Sequence, residues 1–141
     1  MKKITVLAVT IGAIGFCGLA AAHDYTGTFK ATATSTISTD KLFITCSATD
    51  TAKITYQVRR NSGSVNVEAK ATGPVGAATT SSGTGAFSPL VTINTGSGAK
   101  FFEIKEASSS AAASSYTLRM HCWDSAGNHD PGDQPLTATY T

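Results

Sequence analysis

The sequence predicts an all-β chain, folded as a single antiparallel two-sheet β-sandwich of about seven or eight short strands held by one disulfide. Three observations carry this. Apolar residues recur with a period of two, turn residues interrupt them at short intervals, and no stretch carries the apolar stripe of an amphipathic helix.

Residues 1–22 stand apart from that pattern. Lys2 and Lys3 give a cationic start, Ile4 to Leu19 runs without a charge, and Ala20-Ala21-Ala22 supplies the small residues a signal peptidase accepts. The length of the run also suits a membrane anchor, but the alanine triplet and the polar chain after it favour cleavage. Phe16, directly before Cys17, is too bulky for a lipid-attachment box. The expectation is a cleavable signal peptide over 1–22 and a β-sandwich domain over 23–141. The Met-Lys-Lys start suits a bacterial protein exported to the periplasm, the cell surface or the medium, with no membrane span once the signal is removed.

The strands follow in order. Tyr25, Gly27, Phe29, Ala31 and Ala33 alternate with polar residues. Leu42, Ile44 and Cys46 share the next face, and Ile54, Tyr56 and Val58 another, which the turn signal Asn61-Ser62-Gly63 closes. Val65, Val67, Ala69 and Ala71 come next. Pro89 to Ile93 and Lys100 to Glu106 flank Gly96-Ser97-Gly98. Tyr116, Leu118, Met120 and Cys122 line an inner face, and Leu136, Ala138 and Tyr140 close the chain. Gly73 to Gly85 and Ala107 to Ser115 read as surface loops. There is no internal repeat.

Cysteine arithmetic adds a staple. Cys17 leaves with the signal, so Cys46 and Cys122 remain in an oxidising compartment, where two thiols permit one intramolecular pairing. One lies on an early strand and the other on the penultimate one, so the bridge would join the two sheets through the core.

The stretch Tyr116-Thr-Leu-Arg-Met-His-Cys-Trp-Asp-Ser-Ala-Gly-Asn128, followed by Leu136-Thr-Ala-Thr-Tyr-Thr141, resembles the last hairpin of bacterial immunoglobulin-like surface domains. Asp124 and Asn128 can bond the turn backbone, and Gly127 tolerates positive φ. The resemblance implies an immunoglobulin-like sandwich with a surface or secreted role. It departs from antibody domains at two points. Met120 occupies the place two residues before Cys122 where those domains have tyrosine, and Tyr56 stands nearest to the missing core tryptophan.

Net charge is +2 and charged residues make up 14% of the chain, which gives no basis for binding nucleic acid or an anionic membrane. No nucleophile elbow, phosphate loop or zinc-protease motif occurs, so no enzyme is expected. A structural, adhesive or binding role is the first reading, with self-association or a surface protein or glycan as partner. The clean alternation after residue 22 suits a strand that adds to a neighbour's sheet in a filament, or one that completes the protein's own sandwich.

Two groups of residues allow a cofactor. Cleavage after Ala22 would leave His23 as the N-terminal residue, whose imidazole and α-amine can chelate copper; His121 and His129 are the candidates to complete the site. A terminal histidine without a ligand role is the plain alternative. Asp124, Asn128, Asp130 and Asp133 cluster near Gly127 and Gly132 and could hold calcium on a turn, although the spacing is not that of an EF-hand. A turn stabilised by Asp and Asn side chains explains the same residues without metal.

Overall fold

In the computed structural model, the described residues are 23–31, 37–72, 76–130 and 137–139. They form β1 (His23–Phe29), β2 (Thr39–Cys46), β3 (Thr51–Ser62), β4 (Val67–Ala71), β5 (Ala78–Thr80), β6 (Val91–Asn94), β7 (Gly98–Glu106), β8 (Ser114–Asp124) and β9 (Thr137–Thr139). No helix occurs among them, and hence none long and apolar enough to cross a membrane.

Alternation explains why these segments pair as they do. Along β8, Tyr116, Leu118, Met120 and Cys122 are all fully buried, while Arg119, His121 and Trp123 between them are only partly covered. A strand with one apolar and one polar face must lay the apolar one on a second sheet. The chain does this with a four-stranded sheet, ordered β1-β8-β3-β6, against a five-stranded one, ordered β5-β4-β7-β2-β9. Every strand pair is antiparallel. Leu42, Ile44, Val67, Phe102 and Ile104 from one sheet meet Ile54, Tyr56, Val58, Leu118 and Met120 from the other.

Four cross-links pin the sheets together. Cys46 on β2 is bonded to Cys122 on β8, with Cα atoms 5.7 Å apart. The Tyr116 hydroxyl donates to Asp40 Oδ2 at 2.6 Å, also from β8 to β2. Ser114 Oγ donates to the buried Glu106 carboxylate at 2.8 Å. The Tyr56 hydroxyl donates to the Ala77 carbonyl beside β5. These polar tips thereby find partners within the core, which burial demands.

The structure differs from the sequence expectations at several boundaries. β1 ends at Phe29, short of Ala33. Asn61 and Ser62 stay within β3 because their side chains bond across the ladder: Asn61 Nδ2 donates to Thr117 Oγ1 at 2.9 Å, and Ser62 Oγ and Ser115 Oγ lie 2.7 Å apart. Val65 falls outside β4, and Pro89 precedes β6. The stretch Gly73–Gly85, expected to be all loop, contains β5, which pairs with β4. β5 buries Thr79, whose hydroxyl donates to the Pro89 carbonyl at 2.8 Å, so no apolar residue announces it. Residues 1–22, Leu136 and Tyr140 lie outside the described residues.

Gly27 shows how closely β1 is fitted. A Cβ there would come within 2.4 Å of the Tyr116 ring, which lies over it. Gly27→Ala is therefore expected to force that fully buried ring aside and lower stability by about 1–3 kcal/mol in urea unfolding. An unchanged midpoint would show that Tyr116 has room to move. Replacing both cysteines by alanine, which opens a link of 76 residues, is expected to cost about 4 kcal/mol on the chain-entropy account. A loss below about 1 kcal/mol would mean that the unfolded chain is already compact.

Candidate functional site

Strand register brings the three histidines together. Arg119, His121 and Trp123 alternate with core residues of β8 and so share the outer face of the four-stranded sheet. β1 lies antiparallel to β8 with His23 opposite Met120, one position before His121. Beyond β8 the chain turns at Asp124–Asn128 and comes back along the same edge, placing His129 opposite Trp123. One edge of β8 thus receives His23 from one direction and His129 from the other.

The turn that delivers His129 is fixed locally. Asp124 accepts from the Asn128 backbone amide at 2.7 Å and from its Nδ2 at 2.8 Å. These bonds hold the Asp124 carboxyl below the usual carboxylate range, the Asn128 side chain contributing most. Gly127, at φ +86°, takes the left-handed conformation that closes the turn. The Asp130 backbone amide donates to the Cys122 carbonyl at 3.0 Å, and its buried carboxylate accepts from the Ala48 amide at 2.8 Å. His129 then faces outward, since its neighbour faces inward.

The rings form one cluster. His121 and His129 have centroids 5.0 Å apart and lie edge to face, while His23 and His129 lie 5.6 Å apart and nearly parallel. Trp123 stands 5.6 Å from His121 and 5.7 Å from His129. Its indole N–H donates to Thr55 Oγ1 at 2.8 Å, which sets the plane of the ring. Next to His23, the Asp24 carboxylate accepts two bonds of 2.9 Å from Arg119, whose guanidinium lies 4.3 Å from the centre of the Phe87 ring. This fork ties the start of β1 to β8 beside the cluster. Arg119 also draws the Asp24 carboxyl below its ordinary range.

An imidazole nitrogen about 2.0 Å from a metal ion puts its ring centroid about 3.1 Å away, so two rings on one ion have centroids about 4.5–6.3 Å apart. Both measured histidine separations fall in that interval. As the side chains stand, no three His, Cys, Asp or Glu groups among the described residues are arranged to hold an ion. The near-parallel His23 and His129 rings must turn about their side-chain torsions to share one. His121 Nδ1 is buried and makes no hydrogen bond, which leaves a nitrogen that a metal would satisfy.

The four residues considered for calcium do not come together in this way. Asp124 and Asn128 bond each other, Asp130 is turned inward to Ala48, and Asp133 lies outside the described residues. A cleft of about 280 Å³ by β6, lined in part by Ile54, Ile93, Lys100 and Phe101, offers no acid–base pair. Lys100 there donates to the Ser97 carbonyl at 3.0 Å.

Asp24, Arg119 and Trp123 were not among the residues singled out from sequence. The alternation Arg119-x-His121-x-Trp123 was the available signal for two of them. Compared with protein-family models, curated proteins and solved structures, the chain matches none.

Burial, followed by the charges of His129, His23 and Arg119, pushes the His121 pKa below its ordinary 6.5, with Asp24 opposing. A base with a depressed native pKa binds more protons when unfolded, so stability rises with pH across the interval. The His121 contribution is complete above pH 6.5 and is lost as pH falls through the lowered native value. His121→Asn is expected to flatten the decline of Tm below pH 6.5. A decline as steep as in the parent would assign it to other groups.

Proposed function

We propose that this is an exported metal-binding protein, a disulfide-stapled β-sandwich that holds a divalent transition-metal ion with His23, His121 and His129. The single observation that carries the reading is the meeting of His23, from the start of β1, with His121 and His129, from the end of β8 and just beyond it, at separations that suit shared ligation. Imidazole nitrogens favour zinc, copper and nickel over the hard ions calcium and magnesium. Residues 1–22, read as a signal peptide, support a destination outside the cytoplasm.

The residues provide binding without a catalytic arrangement beside it. Asp24 is held by Arg119, and the Trp123 N–H is held by Thr55. The sheet face therefore surrounds the ion with a fixed indole ring and a charge-neutral Asp24–Arg119 pair, which suits holding the ion.

A second reading, contact with another protein or a glycan, is favoured by a different feature. Phe43 and Phe101 are directly paired across β2 and β7, with ring centroids 6.0 Å apart, and Phe101 is 54% exposed on the outer face of the five-stranded sheet. Unlike the histidines, this pair would act in adhesion or self-association.

Calorimetric titration of the oxidised protein with Zn(II), Ni(II) and Cu(II) tests the first reading. One ion per chain is expected, with affinity falling at least about 10–100-fold in His121→Ala and in His129→Ala, since loss of even an outer partner of a metal ligand costs that much. The chain has a single tryptophan, so quenching of its emission by Cu(II) should follow the same isotherm. Heats no larger than dilution for all three ions would remove the metal reading and leave the surface-contact one.

A further inference from the structure

β1 runs antiparallel to β8 and begins opposite Met120, so its N-terminal end is directed toward the part of β8 that holds His121. Further along the same edge, Asp130 bonds Cys122 and His129 faces Trp123. By the β1 register the position opposite His121 falls to the residue before His23, so in a chain cut behind Ala22 the backbone nitrogen of His23 would border it. From there the His23 ring reaches forward to stack on His129.

We infer that the ion is Cu(II) and that the α-amine of a chain beginning at His23 is a fourth nitrogen donor. This rests on the metal reading above. The amine and imidazole of one residue close a chelate ring on a single ion, which peptide-bonded nitrogen cannot do while it keeps its proton. With His121 and His129 the donor set becomes four nitrogens, and a tetragonal nitrogen set selects Cu(II) or Ni(II), with Cu(II) the tighter in the Irving–Williams order. Soft donors that would favour Cu(I) face away: Met120 is fully buried in the core, and Cys122 is committed to Cys46.

The donor then exists only after cleavage behind Ala22. Removal of the leader does more than release the chain; it makes the ligand. An unprocessed chain offers three imidazoles at most.

The test compares two oxidised proteins beginning at His23, one with its α-amine free and one with that amine acetylated, with circular dichroism to confirm equal folding. Cu(II) and Zn(II) affinities are measured by competition with a chromophoric chelator, and the copper forms by electron paramagnetic resonance. The free-amine form is expected to bind one Cu(II) with the hyperfine pattern of four nitrogens, and the acetylated form about 100-fold more weakly or worse, as loss of a chelating arm implies. Zn(II), served by the imidazoles, should change much less. Equal Cu(II) affinity in the two forms overturns the amine while leaving an imidazole site. A free-amine form that holds Zn(II) more tightly than Cu(II) overturns the choice of ion. Retention of neither ion by either form overturns the metal site itself.

Discussion

The two-residue period of β8 is the constraint on which the rest of the molecule depends. Eleven residues long and paired on both sides, it presents one set of side chains to the core and the other to the surface. The inward set includes Tyr116, bonded to Asp40, and Cys122, bonded to Cys46. The outward set includes Arg119, which holds Asp24, and the His121–Trp123 pair. A slip of one residue would exchange the two sets and put a guanidinium and an imidazole into the core. Stability and the candidate site are thus set by the same register.

Much of the fold was legible because a sandwich writes itself in alternation. Tyr116-x-Leu118-x-Met120-x-Cys122 declares a half-buried strand, and the two cysteines beyond residue 22 admit one pairing. β5 was not legible: its one buried side chain is Thr79, held by a hydrogen bond, so it has no hydrophobic signature. Asn61 and Ser62 read as turn residues by type, yet extend β3 because Thr117 and Ser115 stand opposite with hydroxyls to meet them. Composition cannot supply that information, since it belongs to the partner strand.

The candidate site was half legible. His23, His121 and His129 could be named from the sequence, but nothing in it fixes which strand lies beside β8. Their meeting depends on β1 taking that edge and on the chain returning along it after Asn128. Asp130 is the converse case. Its neighbours made it look like an exposed oxygen ligand, whereas the Ala48 amide draws it inside, where an accepted hydrogen bond offsets its burial.

That inward turn gives the short connection from Cys122 to His129 the character of a ruler. Asp130 under the sheet and His129 above it are adjacent residues of an extended chain, so the count between them and β8 decides which goes where. A single residue added between Asp124 and Asn128 and passed on into the returning segment, rather than absorbed in the turn, would put the imidazole underneath and lift the carboxylate out, away from Ala48. Residue type at Asp124, Gly127 and Asn128 and the length of the connection thus act together, and a shift passed through it would dismantle the cluster without touching any of its members.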